Sequence, residues 1–140
     1  MSFKKLITKR VEFSASHRYW NPNLSEKENF EIFGKSSYES GHGHNFSLEV
    51  TVEGEVDENT GMIINLFDLK RFINDVLLEF DHKNLNSDTP YFKNIIPTPE
   101  NICRVLWDLL KKRISVNNNC TLYKIRLHET EDLYVDYWRD

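Results

Sequence analysis

Asn45 to Glu53 reads NFSLEVTVE, in which Phe46, Leu48, Val50 and Val52 alternate with Ser47, Glu49, Thr51 and Glu53. That two-residue period predicts a strand with one buried face. Residues 3–19 alternate well enough for a strand or a bent pair of strands, anchored by Phe3, Leu6, Val11 and Phe13 and closed by His17. The period then changes: Leu66, Leu69, Phe72, Ile73, Val76, Leu77 and Phe80 recur at three- and four-residue spacing, the stripe of an amphipathic helix. A second helix has Thr98 as N-cap and Pro99 at its first position. Ile102, Val105, Leu106, Leu109 and Leu110 form one face, and Lys111, Lys112 and Arg113 stand at the dipole-favoured end. TLYKIRLHE and LYVDYWR return to strand character around Thr130-Glu131-Asp132. The order strand, strand, helix, helix, strand, strand predicts an α+β domain, a four-stranded antiparallel sheet covered by two helices.

A long excursion separates the first two strands. Asn21-Pro22-Asn23 is a turn cluster, Ser25-Glu26-Lys27-Glu28 matches a capping box, and Gly34 supplies a stop, so a short polar helix is expected over roughly 26–33. Long excursions in compact domains are often functional. Asp57 to Gly61 is a turn signal after the second strand, followed by the short apolar run GMIIN.

At 140 residues the chain is expected to be one domain with a real core. No run has the apolar length of a membrane span, and MSFKKLITKRVEF lacks a signal-peptide apolar region, so a soluble, cytoplasmic protein is expected. A net charge of −4 with both signs mixed provides no basic stripe, which argues against nucleic acid as a partner. Two cysteines without metal-ligand spacing fit a reducing compartment. Cys103 falls in NICRVLWDLL as a buried helix residue, whereas Cys120, after three asparagines, reads as a loop edge.

The candidate chemistry lies in His42-Gly43-His44. Residues two apart on a strand share a face, so such a pair can grip one metal ion. With His17 it offers three imidazoles and an open fourth position, the donor set of a catalytic zinc site. A lone histidine is more often a surface or hydrogen-bonded residue, and His-x-His alone is a weak signal.

FSASHRYW at 13–20, FGKSSYESGHGHN at 33–45, GMIIN and FDLK within 61–70, DHKNLN at 81–86, PTPEN at 97–101 and LHET at 127–130 together resemble the 6-pyruvoyl-tetrahydropterin synthase family. The resemblance implies a tunnelling fold of small ββααββ subunits forming a barrel of sheets. It also implies active sites at subunit contacts and a homohexamer built as a dimer of trimers. It assigns His17, His42 and His44 to Zn2+, Asp81 and His82 to a proton relay, and Glu129 to anchoring a pterin ring. Thr98 and Glu100 would help line the pocket. A carboxylate can accept two parallel hydrogen bonds from a pterin's amino and ring N–H groups, and an Asp can orient a histidine that shuttles protons. Taken alone, Asp81 and His82 would read as a cap or loop salt bridge, Glu129 as an exposed strand carboxylate, and Thr98 and Glu100 as helix-capping and dipole residues. Arg18, Lys35 and Lys83 adjoin these motifs and are candidates for phosphate.

One departure from the pattern bears on the reaction. Ser36, in FGKS, stands where mammalian-type members carry a catalytic cysteine, and no cysteine occurs at the spacing of the 6-carboxy branch. A serine hydroxyl is a far poorer base. Instead Glu39-Ser40-Gly41-His42-Gly43-His44 has the E-x-x-H-G-H spacing of the family's type III branch. That likeness implies cleavage of the side chain of 7,8-dihydroneopterin triphosphate to 6-hydroxymethyl-7,8-dihydropterin, with Glu39 as base at a pKa raised by burial beside the pterin pocket. The alternatives are 6-pyruvoyl or 6-carboxy chemistry, a pterin-binding homologue without turnover, and a zinc hydrolase on an unrelated fold.

Overall fold

The protein, described by a computed structural model over residues 4–115 and 119–140, is built around a long antiparallel ladder. Strand β1 (Lys5–His17) pairs with β2 (His42–Gly54) without interruption from Lys5↔Gly54 to His17↔His42. The expected strand anchor Phe3 and the loop residues Asn117 and Asn118 lie outside the described residues. Helix α1 (Glu26–Phe33) and a 3-10 turn (Gly34–Ser37) interrupt the path from β1 to β2. Helix α2 (Leu66–Leu77), the two-residue β3 (Lys83–Asn84), α3 (Pro99–Ile114), β4 (Cys120–Thr130) and β5 (Leu133–Tyr137) complete the chain. The sheet order is β3-β1-β2-β4-β5, antiparallel throughout except for β1 with β3.

The sheet has a fifth strand beyond the expected four, and the short helix expected over roughly 26–33 forms alongside the two that cover the sheet. The short helix of the excursion is the third helix, fixed by the capping box: Glu28 N–H donates to Ser25 Oγ, and Ser25 N–H to Glu28 Oε1. Gly34 ends it at a φ of +59°. The fifth strand, β3, exists because the turn before it grips β1. Ser14 N–H donates to Asp81 Oδ1 and His82 N–H donates to Ser14 O, which lays Lys83 and Asn84 beside Ala15 and Ser16. The single chain is an open sheet, with β3 and β5 at its edges, rather than a closed barrel.

The sequence alternation sets the core. Phe13, Phe46, Leu48, Val50, Val52, Ile125 and Leu127 are buried, as are Leu69, Ile73 and Val76 of α2 and Ile102, Leu106 and Leu110 of α3. Burying side chains of this size stabilises by about 1.5–3 kcal/mol each before chain entropy is counted. Thr98 caps α3 by accepting from Asn101 N–H, with Pro99 behind it. Cys103 is fully buried on α3 as expected; Cys120 is the buried first residue of β4 opposite Gly54, not a loop edge. Phe46 belongs to this core, stacked on Phe13 at 5.1 Å, whereas Tyr134 and Trp138 are exposed. Among the described residues, no helix is long and apolar enough to cross a membrane.

Candidate active site

The core face of the β1–β2 ladder changes character at one end. Phe13, Ala15 and His17 lie opposite Phe46, His44 and His42, so the strand period that buries phenylalanine carries three imidazoles onto the same side. Their ligand atoms all lie within 4.8 Å of one another. The rings of His17 and His42 are 4.6 Å apart and those of His42 and His44 are 4.9 Å apart.

His17 is held from a distant part of the chain. Its Nδ1–H donates to the carbonyl of Pro97 at 2.7 Å, in the segment that enters α3. That bond selects the tautomer and leaves Nε2 with a bare lone pair, as metal-ligating histidines require. His17 Nε2 and His44 Nε2 are both buried without a hydrogen-bond partner, a costly state for polar atoms unless something else occupies them. Burial lowers the pKa of His17 to about 4; the Pro97 bond opposes the shift and the neighbouring His42 and His44 add to it. His42 is lowered as well, first by burial and then by His44. Three imidazoles whose nitrogens converge suit a borderline divalent cation. Hence the residues fit a resident metal.

Glu129 comes to this cluster from β4. Its Oε1 lies 3.5 Å from His44 Nε2, and its Oε2 accepts from the Tyr19 hydroxyl at 3.3 Å. Tyr19 also stands edge-on to His17 at 5.1 Å and packs against His42 and Phe33. Burial and then the Glu129 charge push its phenol well above the usual range, so it is a donor at any physiological pH. Glu100, exposed in the first turn of α3, is near enough to add to that shift, and Thr98 is tied to capping the same helix. Tyr19 did not stand out in the sequence. The signal was parity, because residue 19 continues the inward set 13, 15, 17 past the end of the strand.

The other expected residues are placed elsewhere in the single chain. Asp81 accepts from Ser14 N–H at 2.9 Å and pairs with His82 Nδ1 at 3.0 Å, and its pKa is lowered chiefly by the Ser14 bond. His82, at a φ of +60°, turns its ring outward at 82% side-chain exposure. It lines a groove of about 580 Å3 with Ser14, Ser16, His44 and Asn45. Ser36 is half-buried in the 3-10 turn, and its carbonyl accepts from Tyr19 N–H at 2.9 Å. Glu39 is exposed in the turn before Gly41; the burial expected for it is not present within one chain. Gly41 dictates this turn: its φ is +66°, and a Cβ there would sit 2.8 Å from the His17 carbonyl. Glu39 instead faces a second cavity, about 1080 Å3, with Arg18, Trp20, Phe30 and Tyr38. Arg18 is already engaged, donating to Ser37 O and stacking over Trp20, while Lys35 and Lys83 are exposed.

A small α+β domain with three histidines converging at the end of a strand pair, a carboxylate beside them and open grooves lined by neighbouring residues defines a class of compact domains whose site fits a metal. Comparison with known proteins makes the class specific. The chain belongs to the 6-pyruvoyl tetrahydropterin synthase family, whose sequence profile matches residues 6–140. It is 45% identical over 132 residues to the 6-pyruvoyl tetrahydrobiopterin synthase of Pongo abelii, covering 94% of this chain and 89% of that protein. It is 36% identical over 99 residues to the dihydroneopterin monophosphate aldolase of Pyrococcus furiosus, covering 71% and 79%. The structure of the Caenorhabditis elegans 6-pyruvoyl tetrahydropterin synthase superposes with a TM-score of 0.93 at 35% identity, covering 99% of this chain and 98% of that one. The fold is therefore the tunnelling fold of that family, and the chain is a lyase of the pterin-processing kind.

Proposed function

We propose that the chain is a zinc-dependent lyase that cleaves the side chain of 7,8-dihydroneopterin triphosphate and releases 6-hydroxymethyl-7,8-dihydropterin, a folate precursor. One observation carries the choice of reaction: three histidines converge with a carboxylate beside them, and no thiol accompanies them. Cys103 is fully buried with its thiol pushed up to about 12 by desolvation, and Cys120 lies at the opposite end of the ladder, against Gly54. A base is still needed, and the carboxylate at the matching motif position is Glu39.

A zinc ion on His17, His42 and His44 would supply Lewis acidity toward the substrate's side-chain oxygens. Glu129 accepts the pterin's amino and ring N–H groups through its two oxygens. Glu39 takes the proton of the hydroxyl next to the bond that breaks, that carbon becomes the carbonyl of the departing aldehyde, and the electron pair passes to the pterin-bearing carbon. His82, oriented by Asp81, gives that carbon its proton. Glu39 and His82 lie on separate exposed surfaces of one chain. The reading therefore includes assembly into a homohexamer, a dimer of trimers with sites at subunit contacts. The unpaired edges β3 and β5 support it.

The second reading is 6-pyruvoyl synthase chemistry, favoured by the 45% identity to a relative of that name; the archaeal aldolase favours carbon–carbon cleavage. Products formed from 7,8-dihydroneopterin triphosphate by the zinc-loaded protein, with an aldehyde trap, decide between them. Release of 6-hydroxymethyl-7,8-dihydropterin and loss of roughly 100-fold or more in turnover in Glu39→Gln are expected. A 6-pyruvoyl product, or a Glu39→Gln variant with full cleavage, would overturn the proposal.

A further inference from the structure

We infer that Tyr19 is a positioning residue for the pterin anchor, fixing the plane of the Glu129 carboxylate through its hydroxyl while its ring braces the histidine cluster. The inference rests on the reading of Glu129 as the group that holds the pterin.

A glutamate that grips a planar ligand with both oxygens has to present them in one plane at one angle. Its side chain is long, and freezing its rotamers on binding costs affinity. Glu129 does not meet its ligand as a free rotor, because the Tyr19 hydroxyl donates to Oε2. A carboxylate oxygen has more than one acceptor direction, so a donor on one side of Oε2 leaves the other open for a ligand N–H. The hydroxyl thereby sets the twist of the carboxylate without using up the fork. The charge-assisted bond is 3.3 Å long, and active-site contacts of this kind tighten when a complex forms.

Tyr19 is itself held by four further contacts. Its backbone N–H donates to Ser36 O at 2.9 Å. Its ring is clasped between Phe33 at 5.9 Å and the edges of His17 and His42. The same side chain thus touches the excursion, two of the histidines and the anchor. Only the hydroxyl reaches Glu129, so removing it separates positioning from packing.

The experiment compares the wild type with Tyr19→Phe, Glu129→Gln and the double variant. Dissociation constants for 7,8-dihydroneopterin are measured by calorimetry in metal-loaded and metal-free protein, together with metal content, melting temperature and KM against kcat. Tyr19→Phe is expected to weaken pterin binding about tenfold in both metal states, and to raise KM by a similar factor with kcat changed less than about threefold. Metal content and melting temperature should remain those of the wild type. In the Glu129→Gln background the same change should cost less than about twofold, because the group it positions is gone. If Glu129→Gln loses affinity while Tyr19→Phe binds as the wild type does, the role of Tyr19 is overturned and the anchor stands. Wild-type affinity in both single variants would remove the anchor and Tyr19 with it. Losses that multiply in the double variant, or a Tyr19→Phe variant that sheds metal or melts early, would show that the hydroxyl does not act through Glu129.

Discussion

Strand β4 carries two Glu–His pairs through adjacent residues, one on each face of the sheet. On the face away from the core, His128 Nε2 meets Glu49 Oε2 at 2.7 Å. On the core side Glu129 Oε1 stops 3.5 Å from His44 Nε2, which is left without a hydrogen bond. The four side chains are similarly sheltered, between 13% and 25% exposed. What differs is completion. The His128 pair sits beside a closed network, with Arg126 held by both oxygens of Asp136 and stacked over Tyr134. The His44 pair sits among two further imidazoles and a tyrosine that leave two buried nitrogens unmet. A satisfied pair spends its bonding capacity on the fold. An unsatisfied one keeps it for a ligand, which is why the same two residue types one position apart read as structure and as site.

The contrast can be broken most sharply at the metal. His42→Ala should reduce bound zinc to a small fraction of one per chain by elemental analysis and lower turnover by about 100-fold or more, whereas His128→Asn should retain metal and activity. Acid should act on the core-side cluster next. His17 titrates near 4 when folded against an ordinary 6.5, so below pH 6.5 the unfolded chain takes up a proton that the folded one refuses. The metal-free protein should therefore hold its full contribution above about 6.5 and lose about 3 kcal/mol as pH falls to 4. Denaturant titrations across that window, wild type against His17→Gln, measure it, and a variant with the same slope would remove His17 as the cause. Glu129→Gln should weaken pterin binding by about 10–100-fold at unchanged melting temperature, which calorimetry and thermal unfolding together can test. The smallest effect is expected from Glu49→Gln, a loss of about 1 kcal/mol of stability with pterin affinity untouched. If that variant instead disturbed pterin binding, the two faces would not be independent.

Local periodicity made most of the fold legible. The alternation of 45–53, the three-four stripe of α2, the cap at Thr98 and the capping box at Ser25 each report on neighbours in sequence, and each element formed where the pattern put it. What escaped was non-local. Strand β3 is two residues long and owes its existence to contacts between Ser14 and the turn at Asp81, 67 positions away. The tautomer of His17 is set by Pro97, 80 positions on. No window of sequence contains either pairing. The three histidines were legible because strand parity and their spacing place them on one face. The hydroxyl of Tyr19 meeting Glu129 depends on how β4 lies beside β2, which parity alone does not give. Glu39 was legible as a motif residue but not as an exposed one, because its placement follows from the left-handed turn at Gly41.

His17 and His42 are direct cross-strand partners, the last pair of the β1–β2 ladder. The whole excursion from Arg18 to Gly41, with Ser36 and Glu39 on it, is thus a loop whose two ends are stapled at the site itself. Lengthening a loop pinned in this way costs little, roughly 0.6 kcal/mol per doubling. The outer part of the excursion, away from Tyr19 and Gly41, can therefore vary in length at little cost to the ladder that holds the imidazoles. The grip on the imidazoles lies in the sheet, and the loop it staples presents Glu39, the base proposed above.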